Sequence, residues 1–181
     1  MVGGVMTCET PAKCGAGVAA GTKASFTLDY TSGVSTLTQQ EVIYKSDAAQ
    51  AGIQISVNGE SFDTLLGTAV PTNKSWTMVD ISGWAYDGPG YLPTGEPLFL
   101  TGAPSNAGGF SNSTVDSEIE GIQDNSSLSL FHQYATEIAE QEPFIWVPQA
   151  YFIEAVNSSL KGVTWNPMYT FTPEYWSFTK S

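Results

Sequence analysis

Two early stretches alternate strictly between apolar and polar positions. Phe26, Leu28 and Tyr30 are interleaved with Ser25, Thr27 and Asp29, and Ile53, Ile55 and Val57 with Gln54 and Ser56. A period of two puts every second side chain on one face, so both stretches read as strands. Between them, from Val34 to Ala51, Leu37, Tyr44, Ala48 and Ala51 fall on one face of a helix. Thr36 followed by Gln39 has the spacing of a capping box, and Gly52 supplies a C-terminal stop. Strand, helix and strand in this order predict a right-handed crossover and a parallel pair.

A shorter helix is expected from Phe62 to Thr68, with Ser61 as its cap and Phe62, Leu65 and Leu66 facing inward. Trp76 to Ile81, rich in β-branched and aromatic residues, reads as a third strand. Farther on, Val115, Ile119 and Ile122 share a helical face between Ser113 and Asp124. Leu128, Phe131, Tyr134 or Ala135, and Ile138 share another, ending before Pro143. Phe144 to Val147 is predicted as a short apolar strand with Pro148 marking its end or an edge, and 151–156 as a strand or a loop. The tail from Leu160 to Lys180 is expected to return an extended segment. The whole is an α/β chain with a largely parallel sheet flanked by helices.

The third strand leads into an aromatic loop, Gly83 to Tyr91, in which Asp87 is the one carboxylate among Trp84, Tyr86 and Tyr91. Loops leaving the carboxyl end of a buried strand are where ligands tend to be held. A lone anion beside ring faces suits a cationic, partly apolar ligand such as a peptide amino terminus. The bland alternative is that Trp84 and Tyr86 pack the loop while Asp87 caps a turn.

Composition narrows the classes. The 181 residues fit one domain, and 41% hydrophobic residues exclude a disordered acidic tail. Six Lys plus Arg against eighteen Asp plus Glu give a net charge of −12, which makes nucleic acid and anionic membranes poor partners. No apolar run is long enough to span a bilayer. Met1 to Ala20 has neither the basic region nor the apolar core of a signal peptide. Low Lys and abundant Ser, Thr, Gly and Trp nevertheless suit an extracellular setting, so the chain is expected to be a piece of a longer exported protein.

Cys8 and Cys14 are the only cysteines, with five residues between them in a Gly-, Pro- and Thr-containing segment. A disulfide closing a surface loop is the favoured reading in an oxidising compartment. Metal binding is disfavoured because His132 is the only histidine and lies far away in sequence. A redox dithiol would be more closely spaced, at a helix start.

Catalytic signatures are missing. His132 sits mid-helix beside Phe131 and reads as a solvent-facing or half-buried helix residue. No serine stands in a Gly-x-Ser-x-Gly elbow, and no phosphate-binding glycine loop precedes a helix. Asp116, Glu118 and Glu120 occupy the first half of a helix, where negative charge complements the dipole. Asn73, Asn112, Asn125 and Asn157 begin glycosylation triplets, which matter only in a eukaryotic secretory host. The chain reads as a binder, without cofactor or metal.

Four ordered motifs resemble the C-terminal part of the family 5 extracellular solute-binding proteins, the dipeptide- and oligopeptide-binding receptors of ABC importers. They are TLDYTSG with VSTLTQQ (27–40), the tryptophan loop GWAYDGPGYLPTGEPLF (83–99), FSNSTVDSEI (110–119), and AEQEPFIWVPQ (139–149) with LKGVTWNP and the closing EYWSFTK. TCETPAKCGAG (7–17) is similar to a disulfide-bearing insertion of some actinobacterial members. The resemblance implies a periplasmic-binding-protein-like lobe that closes on its ligand with a second lobe by hinge motion. It implies a role for Asp87, three residues after Trp84, in pairing with a peptide's α-amino group, and an extended peptide held by main-chain hydrogen bonds. Where many members continue with an acidic residue and proline, this chain has Gly88-Pro89-Gly90, and other members take oligosaccharides or metal chelates.

The resulting expectation has residues 1–22 as a disulfide-bearing surface loop and linker and 23–181 as a single α/β lobe. Trp84, Tyr86, Asp87 and Tyr91 would contact a peptide. The partners would be the remaining lobe and a membrane permease, and the full-length protein a cell-surface lipoprotein of a Gram-positive bacterium. A secreted carbohydrate-binding or adhesion module with Trp84, Tyr86 and Tyr91 as a sugar platform is the alternative, and it requires an all-β sandwich. A glycoside hydrolase using Asp87 with Glu96 ranks third.

Overall fold

The structure is a computed structural model that describes residues 4–81, 93, 95–125, 127–147, 155–163 and 179–180. It divides into two compact units, Met1–Gly83 and Trp84–Ser181.

In the first unit β1 (Ser25–Thr31), α1 (Ser35–Gln50), β2 (Gln54–Glu60), α2 (Phe62–Thr68) and β3 (Met78–Asp80) follow in order. The sheet is parallel throughout, ordered β2-β1-β3, with Leu28 aligned to Val57 on one side and Met78 on the other. Aligned residues share a face, so Phe26, Leu28, Tyr30, Ile55, Val57, Met78 and Asp80 lie on one side of the sheet. Asp29, Asn58 and Glu60 lie on the other, where the Asn58 amide donates to both carboxylates at 2.9 and 3.0 Å. β3 starts at Met78 and not at Trp76 because Thr77 pairs through its side chain. Its hydroxyl donates to the Thr27 carbonyl (2.7 Å) and accepts the Thr27 N–H (3.0 Å).

α1 turns Leu37, Tyr44 and Ala48 of the expected face partly inward, whereas Ala51, just past its last residue Gln50, is exposed; the chain turns at Gly52 with φ 79°. The capping box is not formed. The helix begins at Ser35 after an extended Val34, and this leaves Thr36 inside the first turn without a cap bond. α2 is capped as expected, Ser61 Oγ accepting the Thr64 N–H at 3.1 Å. Only Leu65 of the three expected inward residues is buried; Phe62 and Leu66 are each 47% exposed. A seven-residue helix has room for one buried stripe, here Leu65 with Ala69 just past its end, and Phe62 and Leu66 sit one above the other on the adjacent stripe.

Cys8 and Cys14 are joined in a disulfide, Cα–Cα 5.9 Å. The loop is stitched to the unit by backbone bonds from Cys8 N–H to Thr22 O, Ala24 N–H to Met6 O, and Met6 N–H to Gly52 O at the α1–β2 junction.

The second unit contains α3 (Glu96–Phe99), α4 (Ser113–Asn125), α5 (Leu128–Gln141), and a two-residue antiparallel pair, β4 (Leu160–Lys161) with β5 (Thr179–Lys180). That pairing brings the two ends of the tail together. Val115, Ile119 and Ile122 of α4 are buried against Tyr134 and Ile138 of α5 and Phe99 of α3. Each large apolar side chain so buried contributes roughly 1.5–3 kcal/mol. Leu128, placed on the inner face by periodicity, is 69% exposed because it is the first residue of its helix, beyond the edge of the contact. Ala135 is exposed too, which leaves Tyr134 as the inward residue.

Phe144 to Val147 is not a strand. The chain leaves α5 through Glu142 at φ 45° and runs irregularly, with the Phe144 and Trp146 rings 5.2 and 6.3 Å from Phe99. Packing on that ring replaces sheet pairing. The helices α1, α4 and α5 also rule out the all-β sandwich that a sugar-binding module would require. No helix among the described residues is long and apolar enough to cross a membrane.

Candidate functional site

In a parallel sheet all strands end at the same edge, and ligands collect outside the carboxyl ends where the strand order reverses. Here the chain passes from β1 to β2 and then across to β3, so the reversal lies at β1, between its two neighbours. Its carboxyl end presents Tyr30 and Asp80 as aligned neighbours, and the first turns of α1 lie over them. The Tyr30 hydroxyl donates to Thr38 Oγ1 at 3.4 Å.

Behind Tyr30 stands a pair of acids. Glu41, only 1% exposed, is the sole buried residue of α1 and lies between Leu37 and Tyr44 on the inward face. The Gln40 amide reaches Glu41 Oε1 and Asp80 Oδ2, both at 3.5 Å. Burial pushes the Glu41 carboxyl up to about 7, reinforced by its hydrogen bond to Asp80 and by the Asp80 charge, with the Gln40 bond opposing. Burial also raises Tyr44, and the charges of Glu41 and then Asp80 add to it. Periodicity could have found Glu41, since 37, 41, 44 and 48 form one stripe and it is the one acid on it. Its partner on β3 has no local signal.

Asp80 ends β3 two residues before the segment carrying Trp84, Tyr86, Asp87 and Tyr91. Those four residues lie outside the described residues, as do 148–154 and most of the tail.

Several acids of the second unit bond to, or lie against, their own neighbours. Asp116 Oδ1 accepts the Thr101 N–H at 2.9 Å. Glu118 is raised by burial and by the charge of Glu137, which itself accepts from Asn112 and Gln141 at 3.0 Å. Glu96 opens α3, and burial followed by the Glu96 charge raises the Tyr134 phenol. His132 is exposed on α5. Among the described residues no group of three or more His, Cys, Asp or Glu could hold a metal ion.

No known family profile and no curated protein matches the sequence. Solved structures do match. The oligopeptide-binding protein AppA from Bacillus subtilis, in complex with a nonapeptide, aligns over 89% of this chain with TM-score 0.62 and 16% identity. The ABC transporter substrate-binding protein CtaP from Listeria monocytogenes aligns over 64% (TM-score 0.52, 16% identity), and AppA from Clostridium difficile over 66% (TM-score 0.53, 17% identity). The chain shares their fold. It spans only 32%, 24% and 25% of their respective lengths. The motifs read from the sequence and the likeness of the folds therefore agree on the fold, an α/β lobe of the periplasmic-binding-protein type.

Proposed function

We propose that the chain forms part of one lobe of the solute-binding receptor of an ABC importer, and that the receptor captures peptides. The carrying observation is the likeness to a nonapeptide-bound oligopeptide-binding protein over 89% of the chain. On this reading both units belong to that lobe, the rest of the receptor supplies the second wall of the cleft, and a membrane permease receives the ligand. The receptor is exported, held at the cell surface by a lipid anchor, and performs no catalysis.

The order of strands supports placing the ligand at the edge where β3 ends. The segment that leaves there carries Trp84, Tyr86, Asp87 and Tyr91, which we assign to the peptide's amino end. Asp87 would accept from the α-ammonium, and the rings would cover the first side chains. A charged hydrogen bond of this kind contributes about 1.5–3 kcal/mol when water is excluded by the closing lobe. With one wall only, the carboxylate stays solvated and that gain is lost.

Calorimetry of the 181-residue chain against mixed short peptides tests the reading. Binding is expected to be weak or undetectable for the chain alone and to appear in the full-length receptor. Micromolar peptide affinity for the isolated chain would contradict the one-wall account, and capture of glycans but not peptides by the receptor would contradict the ligand class.

A further inference from the structure

An Asn-Gly pair ordinarily makes a tight turn, but the chain's one such pair, Asn58-Gly59, lies inside β2, an outer strand of the sheet. Both residues are exposed. At one end of the strand Gln54 N–H donates to Ala24 O, and at the other Ser32 N–H donates to Glu60 O, both at 2.8 Å. These bonds fix the phase of the ladder. The even-numbered residues of β2 pair with β1, and the Gly59 N–H points outward along the open edge of the sheet. A main-chain nitrogen following an asparagine is a nucleophile one bond rotation from the side-chain amide carbon, and with no Cβ on Gly59 nothing shields it.

The strand keeps the two reactants apart. Asn58 stands directly opposite Asp29 in the register, and its Nδ2 donates to Asp29 Oδ1 at 2.9 Å and to Glu60 Oε1 at 3.0 Å. The side chain stands across the sheet, whereas the Gly59 N–H lies in its plane. Bringing Asn58 Cγ onto the Gly59 nitrogen therefore means turning Asn58 out of the extended conformation and unpairing β2 there.

We propose that Asn58 is a deamidation site kept closed by β2 and opened when the sheet edge frays. The Gly59 nitrogen bonds to Asn58 Cγ, the Cγ–Nδ2 bond breaks, and the hydrogen given up by Gly59 leaves with Nδ2 as ammonia. Water then opens the cyclic imide. Cleavage at Cγ gives aspartate, and cleavage at the main-chain carbonyl gives isoaspartate. One water is consumed, one ammonia is released, and the new carboxyl group loses its proton to solvent. The change is one-way, because a carboxylate at position 58 faces Asp29 across the strands and Glu60 along its own strand, where the amide had tied both. No enzyme and no bound ligand take part.

The test follows the 181-residue chain, folded and in concentrated urea, in one mildly alkaline buffer, with conversion at each asparagine measured by peptide mass mapping. In urea Asn58 is expected to convert faster than any other asparagine, and folding to slow that position at least about 10-fold. Ser32→Ala removes a hydroxyl that donates to Glu60 O at 2.8 Å at the strand's end, so it should speed conversion in the folded chain several-fold and leave the urea rate unchanged. Asn58→Asp should lower the denaturation midpoint; should it fail to fold, the converted fraction of the parent, separated by charge, takes its place. Equal rates at Asn58 in the folded and urea-treated chain, faster conversion of another asparagine in urea, a folded Ser32→Ala rate equal to the parent's, or an unchanged midpoint overturns the proposal.

Discussion

Asn106 and Phe110 hold each other in both directions: the Asn106 amide donates to the Phe110 carbonyl at 2.7 Å, and the Phe110 N–H donates to Asn106 Oδ1 at 2.9 Å. The same amide donates to the Leu100 carbonyl at 3.1 Å. One buried side chain thus organises the whole turn between α3 and α4 and sets Phe110 edge-on against Phe99, centroids 6.3 Å apart.

Replacing Asn106 with Ala removes all three bonds and takes the side-chain partner from both the carbonyl and the N–H of Phe110, while the Leu100 carbonyl keeps the Ala103 N–H at 3.0 Å. A loss of about 2–4 kcal/mol in unfolding free energy is expected. Asn106→Asp keeps the acceptor for Phe110 N–H but turns two donors into acceptors, so it should cost at least as much at neutral pH. Denaturation curves of the two variants check this; a change below about 1 kcal/mol in both would refute the role of the side chain.

The second unit is held together by α4 against α5, and the burden falls unevenly. Ile119→Ala should cost about 2–5 kcal/mol, since the residue is fully buried. Leu128→Ala should change stability by no more than about 0.5 kcal/mol, because most of that side chain already faces solvent. Similar losses in thermal midpoint for the two would show that the helical face is drawn wrongly.

Gly95 is required twice over. Its φ is 85°, and a Cβ there would lie 2.8 Å from the Phe99 ring. Gly102, at φ 78°, has nothing within 4 Å of that position. Gly102→Ala should therefore cost only the backbone conformation, about 1 kcal/mol, whereas Gly95→Ala should cost about 2–4 kcal/mol by also displacing a core ring. Equal losses would mean that Phe99 moves aside freely.

Elements with a strong local period were legible. The alternation at Phe26, Leu28 and Tyr30 marked β1 because one sheet face packs under a helix, and Val115, Ile119 and Ile122 marked α4 because they form its buried stripe. Short apolar runs were not. Phe62 and Leu66 were read as inward in a helix too short for two buried stripes. Phe144 to Val147 was read as a strand although its aromatic side chains pack on Phe99 without any strand pairing. At the site, Asp80 and Glu41 meet only through the fold, and an acid on a helix ordinarily faces water.

On the proposed function, Asp87 receives the amino terminus of a peptide. A thermodynamic cycle in the full-length receptor tests it most directly, pairing the parent and Asp87→Asn with a free and an N-acetylated peptide of the same sequence. Acetylation should weaken binding to the parent about 10- to 100-fold and leave Asp87→Asn nearly indifferent, a strongly coupled pair. Equal losses on acetylation in both proteins would place the ammonium elsewhere and contradict the claim.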